Sequence, residues 1–345
     1  MSEPTVEPEV STVADDEVVV HVGAEVRRYE GLRPGTVHDL DGIEVRTLDR
    51  PGGELLCRFA TINDVHFGEV ECGVIEGSDT GPILRSAPGE PPYPETMNAA
   101  AVREITALDP VVVIAKGDHT ATGTAVEYGR FLEVWGGAFG DRLHHVRGNH
   151  DAMDGVDQGL DGIPELIEVP GARAALLDTV TPGSDGGRLT SEQLDWLDAT
   201  AASAADDGVP LLAFGHHHCW DPGASTRPVN YFGINPDDSE ALIAVVARRP
   251  AIRGWFAGHT HRNRVRRFPQ LTGEVPYAEV ACLKDYPGSW AEYRVFEGGV
   301  LQVHRRLSAP AALAWSERCR ALFDGAYPWY ALGDIGDRCF ALPSR

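Results

Sequence analysis

The sequence predicts an α/β layered fold, and three observations carry that reading. Five apolar runs, LLCRFATIND, PVVVIAKGD, RLHHVRGNHD, VPLLAFGHHH and IRGWFAGHTH, each end in a polar cluster. Helical patterns separate them, and strands that read as continuous apolar stretches are those buried on both faces of a covered sheet. The 345 residues, 43% hydrophobic and 24% charged, are enough for a full core and too apolar for a disordered chain.

Taken in order, residues 1–16 lack hydrophobic periodicity and are rich in Glu, Pro and Ser, which predicts a disordered tail. Residues 17–55 alternate short β-branched runs with Gly and Pro turns, which predicts a small N-terminal β extension of two or three antiparallel strands. The main domain is expected over 56–307. Within it, Asn98 to Leu108 and Thr190 to Ala202 are the clearest helices, the second opened by Thr190 and Gln193 in capping-box spacing. After Glu279 the pattern returns to strands around a Gly-Gly turn. Residues 308–345, Ala-rich and then aromatic, form a C-terminal extension with no assigned chemistry.

Charge narrows the function. Fifty-two acidic against 30 basic residues give a formal net charge of −22, which disfavours a long nucleic acid, whose affinity comes mainly from Lys and Arg. No run approaches the roughly 18 apolar residues of a membrane span. The acidic N-terminus is unlike a signal peptide, so a cytoplasmic location is expected, with no membrane partner. The six cysteines lie far apart with no CxxC pair, as expected of reduced thiols. Oligomeric state has no signature in the sequence.

The chemistry sits where the apolar runs end. Asp64 and His66, Asp118 followed by His119, Asn149 with His150 and Asp151, His216 to His218, and His259 with His261 occupy the five ends, and eight of the 13 histidines fall there. In open α/β sheets ligands bind at the C-terminal ends of strands. Asp64 and His66 are two apart, as are His259 and His261, so in extended backbone each pair can project to one side. Imidazole mixed with carboxylate and amide oxygen suits a transition metal rather than Ca or Mg. Seven or eight such groups exceed the needs of one ion, whereas two ions sharing a carboxylate use them all.

These motifs, Asp64-Val65-His66, Gly117-Asp118, Gly148-Asn149-His150-Asp151, His216 and Gly258-His259-Thr260-His261, strongly resemble, in order, the signatures of the calcineurin-like metallophosphoesterases. GDHTATG and GGRLTSEQLDWL are most similar to the class III cyclic nucleotide phosphodiesterase branch. The resemblance spans about Cys57 to Leu307 and implies a four-layer αββα sandwich. It implies one metal on Asp64, His66, Asp118 and His261 and a second on Asp118, Asn149, His216 and His259, with Mn, Fe or Zn as the ions. It also implies in-line attack on phosphorus by a hydroxide that both ions share, with His150, oriented by Asp151, handling the developing charge or the leaving oxygen. The implied activity is hydrolysis of a small or medium phosphodiester. A phosphomonoesterase on the same metal core is the first alternative, and an inactive metal-binding or scaffold module is the alternative of another class.

Taken singly, the motifs have plainer readings: a capping Asp beside a surface His for DVH, ordinary turns for GD and GNHD, and a buried His pair for GHTH. Their joint order carries the assignment. His217 is the fallback ligand should the register slip by one. His119 is either an outer residue of the site or a loop residue. Arg262 is a candidate phosphate contact or part of a solvated strand face. The long segment from Phe67 to Thr96 is a candidate lid with Tyr93 as contact, and His218 to Phe232, with Trp220 and Tyr231, a candidate second wall. Core packing is the alternative for each aromatic.

Overall fold

The computed structural model describes residues 7–75, 77–153 and 162–342. In chain order the strands are β1 (Glu9–Val13), β2 (Glu17–Val22), β3 (Glu25–Glu30), β4 (Val37–Leu40), β5 (Ile43–Arg46), β6 (Leu55–Ile62), β7 (Val113–Ala115), β8 (Leu143–His145) and β9 (Glu165–Val169). They continue as β10 (Ala172–Leu176), β11 (Leu211–Phe214), β12 (Ile252–Ala257), β13 (Arg264–Arg266), β14 (Tyr277–Glu279), β15 (Ser289–Phe296), β16 (Gly299–Arg306) and β17 (Phe340–Ala341).

Two six-stranded sheets result, ordered β17-β16-β15-β6-β7-β8 and β13-β14-β12-β11-β10-β9. Strands β6, β7 and β8 run parallel, as do β10, β11, β12 and β14. The two sheets pack face to face. Phe59 stacks on Tyr293 with centroids 4.6 Å apart, and Phe214 meets both Tyr293 edge-on and Phe256, so rings from both sheets fill the space between them. Aromatic pairs of this kind add to the free energy of simple area burial.

Helices cover the outer faces. Tyr93–Leu108 lays Met97, Ala101 and Ile105 on the first sheet, joined by Ala312 and Trp315 of the helix Pro310–Arg318 or its last turn. Ser191–Asp207 and Pro236–Arg248 cover the second with Leu197, Ala201, Leu242 and Val246. Thr190 caps the former as predicted, its side chain accepting from Gln193 N while Gln193 reaches back to Thr190 N. The αββα layering expected from the sequence is therefore present.

At the N-terminus the expectation of a structureless tail needs correction. Residues 1–6 lie outside the described residues, but Glu9–Val13 is a strand, because Ser11, Thr12 and Val13 are buried against β2 and β16. Thr12 Oγ1 donates to His304 O at 2.8 Å, and Arg294 in β15 pairs with Asp15 and Asp16. The prolines and glutamates that suggest disorder precede or begin this strand. Strands β1 to β3 form one sheet and β4–β5 a hairpin. The C-terminal segment is likewise part of the body: β17 joins the first sheet on β16, and Trp315 and Tyr327 enter its core. Among the described residues, no helix is long and apolar enough to cross a membrane.

Candidate metal centre

Each of the five sequence motifs follows a parallel strand: Asp64 and His66 follow β6, Asp118 follows β7, Asn149 to Asp151 follow β8, His216 follows β11, and His259 and His261 follow β12. Three of these strands belong to one sheet and two to the other. The motifs therefore converge on the seam between the sheets, at the end where the parallel strands stop.

The backbone there differs from the extended one that the sequence suggested. Asp64, His66, Asp118, His259 and His261 all have positive φ, between 45° and 69°. Asp and His tolerate this left-handed region better than most residues, yet it costs on the order of 1–3 kcal/mol each and such outliers gather at functional sites. Each strand end turns abruptly, and that turn, rather than the two-residue alternation of a strand, aims both members of a pair inward. The glycines of the motifs make room. A Cβ on Gly117, whose φ is 94°, would lie 2.6 Å from Gly148 N and 2.7 Å from His216 Nδ1. A Cβ on Gly148 would land on Asp118 Oδ1.

The candidate ligand atoms meet. His66 Nε2 is 3.4 Å and His216 Nε2 3.3 Å from Asp118 Oδ2, while His261 Nε2 is 3.3 Å from Asp64 Oδ1. His216 Nε2 is also 3.1 Å from Asn149 Oδ1. Potential ligand atoms of Asp64, His66 and His261, of His66, Asp118 and His150, of Asp64, Asp118 and His216, and of His216, His217 and His259 lie within 4.8 Å of one another in each group. Asp118 thus stands between two clusters. Both His216 and His217 face the second of them.

Asp64 Oδ1, His66 Nε2, His217 Nε2 and His259 Nε2 are buried without a hydrogen-bond partner. An unmade bond of this kind costs about 1–3 kcal/mol, and a transition metal satisfies such lone pairs directly. The residues present therefore fit the two ions. The electrostatics agree. Burial by itself raises the pKa of Asp118, but the charges of His216 and His150 and the close approach of the His216 and His66 imidazoles hold it well below the usual carboxylate range. Burial lowers His216 and Asp118 overrides it, pushing the imidazole up to about 9. This is a pocket of negative charge that attracts cations.

The opposite ring nitrogens are tethered. His216 Nδ1 donates to Lys116 O at 2.8 Å, His150 Nδ1 donates to Ala121 O at 2.7 Å, and His217 Nδ1 pairs with Thr179 Oγ1 at 2.7 Å. The expected orienting role of Asp151 is corrected here. Its carboxylate accepts from Gly148 N, Thr120 N and Thr120 Oγ1 and lies 3.1 Å from His119 Nδ1. It ties two motif loops together, and the carbonyl of Ala121 orients His150. His119 is buried and stacked on Phe131 at 4.1 Å, behind the site.

Three sequence candidates for substrate contact are placed elsewhere. Tyr93 is buried and stacked on Trp315 at 4.3 Å, inside the core rather than in a lid. Trp220 is buried beneath Arg227. Arg262 is held by Glu279 at 3.0 Å and lies over Tyr330. The wall does exist at Phe232, 52% exposed, whose ring stacks on His259 at 3.9 Å. Beside it lies a groove of about 570 Å³ lined by Asn230, Tyr231, Ser184 and Arg188.

This fold and this convergence of ligands define a metal-dependent phosphoester hydrolase. The profile of the calcineurin-like phosphoesterase family matches residues 57–263, more than half of the chain, and the protein belongs to that family. It is similar to the 3',5'-cyclic adenosine monophosphate phosphodiesterase CpdA of Pseudomonas aeruginosa, 29% identical over 248 residues that cover 71% of this chain and 83% of the relative. It is 30% identical to the cAMP/cGMP dual specificity phosphodiesterase MT0825 of Mycobacterium tuberculosis over 185 residues, 51% of this chain and 55% of that one. Among solved structures, a dimetal phosphatase from Danio rerio superposes with a TM-score of 0.55 at 16% identity, over 73% of this chain and 97% of its own, which shows the shared fold.

Proposed function

We propose that the protein hydrolyses a small phosphodiester, of the cyclic nucleotide kind that the CpdA and MT0825 names denote, at two transition-metal ions held as the sequence motifs imply. Asp64, His66, Asp118 and His261 hold one ion, and Asp118, Asn149, His216 and His259 the other, with His217 adjacent. The observation that carries the reading is the meeting of these groups around Asp118, from both sheets, with buried lone pairs unsatisfied.

When bound, the ions stabilise charge on the phosphoryl group and lower the pKa of water at the centre. The chain's own residues supply the rest. His150 Nδ1 donates to Ala121 O, so in the neutral ring Nε2 carries the lone pair and faces His66 and Asp118. A proton taken at Nε2 can pass to the leaving oxygen, the general-acid role that imidazole suits. Phe232 supplies a flat apolar surface beside His259. Arg147, Arg262, Arg266 and Lys284 are each already paired with a carboxylate, while Arg188 lines the groove beside Phe232 and Lys116 Nζ donates to Ala257 O. The choice of a diester is supported by the cyclic nucleotide phosphodiesterases to which the chain is similar.

The test is hydrolysis of bis(p-nitrophenyl) phosphate against p-nitrophenyl phosphate by Mn-loaded protein, with metal content measured in parallel. Faster cleavage of the diester is expected. Asp118→Asn should lose metal and activity together, and His150→Ala should keep both ions and lose about 10²- to 10⁴-fold in rate. Normal turnover by Asp118→Asn would overturn the two-metal reading, and preference for the monoester would overturn the substrate class.

A further inference from the structure

Behind the centre, on the side away from the ligating nitrogens, lies a buried assembly that the metal motifs do not include. His66 Nδ1 is 3.1 Å from Glu69 Oε2, and Lys284 Nζ lies 2.5 Å from both oxygens of that carboxylate. The next residue, Asp285, turns to the other histidine of the same cluster. Its Oδ1 accepts from Cys282 Sγ and from Tyr327 Oη, each at 2.7 Å, while Oδ2 lies 3.6 Å from Cys72 Sγ and 3.9 Å from His261 Nδ1. Lys284 and Asp285 are buried, and Trp315 Nε1 donates to Lys284 O at 3.0 Å. One dipeptide thus stands behind both histidines, Lys284 through the Glu69 that touches His66 and Asp285 within Coulombic rather than hydrogen-bonding range of His261, and two aromatic residues of the C-terminal segment hold that dipeptide.

We propose that Lys284 and Asp285, clamped by Trp315 and Tyr327, are positioning residues that set the affinity of one of the two metal positions, the one built on His66 and His261. The proposal rests on the reading that these two histidines are ligands. A carboxylate at the far nitrogen of a ligating imidazole fixes its tautomer and orientation and raises its basicity, and loss of such a partner costs about 10- to 100-fold in metal affinity. Glu69 without Lys284 would be a buried charge without a counter-ion, which the fold tolerates poorly. In the chain as it stands Lys284 Nζ, 2.5 Å from both carboxylate oxygens, supplies that counter-ion. The Glu69 carboxylate is therefore fixed beside His66. The other position, on Asn149, His216 and His259, has its own tether in Lys116 O, which accepts from His216 Nδ1, while Thr179 holds the adjacent His217, and among the described residues none of its three groups bonds to this assembly. The C-terminal segment thereby acquires a role: it closes the outer wall of one metal position.

The test is calorimetric titration of the metal-free full-length protein with Mn²⁺, on the wild type, Tyr327→Phe, Lys284→Met and His66→Ala, with circular dichroism as the check of folding. Tyr327→Phe removes a single hydroxyl and guards against Lys284→Met failing to fold. Both are expected to bind two ions, one with wild-type affinity and one weakened about 10- to 100-fold, while His66→Ala loses one ion outright. If His66→Ala loses an ion and Tyr327→Phe binds both as the wild type does, the proposal is overturned and the ligand reading stands. Equal weakening of both ions would also overturn it. Two ions bound normally by His66→Ala would overturn the ligand reading and the proposal with it.

Discussion

At the scale of single residues, the centre depends as much on what is missing from the motifs as on the ligands. Gly148 precedes Asn149 with no room for a side chain, since its Cβ would occupy the place of Asp118 Oδ1. Asp118 is the carboxylate shared by both clusters, and it also accepts from His150 N at 3.0 Å. Gly148→Ala is therefore expected to displace Asp118, reduce bound metal from two ions to one or none, and lower kcat at least 100-fold, while the sheets remain. Metal analysis and circular dichroism check both halves. Retention of two ions and normal activity would show that the loop can yield where the packing says it cannot.

The candidate ligands were legible because the family resemblance rests on short motifs, each a strand end followed by residues of the right chemistry. Their backbone was not. Nothing in Asp64-Val65-His66 distinguishes an extended pair from two left-handed residues, because Asp and His are compatible with both. Lys284 and Asp285 were illegible for another reason: their partners Glu69, Trp315 and Tyr327 are distant in sequence, and no spacing rule joins them. Tyr93 and Trp220 misled because an aromatic in a long loop can face a substrate or a core, and only packing separates the two.

At the scale of elements, the N-terminal sheet is joined to the body through buried polar groups rather than apolar contact alone. His21 in β2 shares a hydrogen bond with Ser11 Oγ at 2.8 Å, and Ser11 O accepts from His304 in β16 at 2.8 Å. Burial, then the charges of Arg306 and Arg28, lower the His21 pKa from 6.5 to about 3, and His304 moves in the same direction. The folded state refuses a proton that the unfolded chain accepts. For His21 this contribution to stability is therefore complete above pH 6.5 and is lost as pH falls from there toward 3, by up to about 1.4 kcal/mol per unit, and His304 adds to the loss in the same direction. Urea midpoints at pH 7.5 and pH 5 should fall on acidification in the wild type, and His21→Gln should flatten that fall. An equal fall in both would assign the acid sensitivity elsewhere. The strand β1 that completes this junction escaped the sequence reading because five residues, two of them Ser and Thr, give too short a pattern to stand out beside Glu and Pro.

At the scale of the whole molecule, the two sheets share an aromatic core in the middle and the candidate metal centre at one rim. Asp64 and Asp118 are both buried at that rim, where protonated histidines offset their charge: Asp118 pushes His216 up to about 9, and Glu69, then Asp118, does the same for His66, each against the pull of burial. Ions held by these residues would displace those protons and would tie together loops that follow strands of both sheets, a site that the unfolded chain does not offer. Each ion at 100 times its Kd stabilises by about 2.7 kcal/mol, so two contribute about 5 kcal/mol. At roughly 2 cal/mol/K of unfolding entropy per residue, this raises the melting midpoint of a chain of this length by about 7 °C. Chelation should therefore lower Tm by several degrees, Mn²⁺ should restore it with a logarithmic dependence on concentration, and Asp118→Asn should abolish that dependence. A Tm indifferent to chelator and metal would mean that the centre does not join the sheets in the way the meeting of β6, β7, β8, β11 and β12 requires.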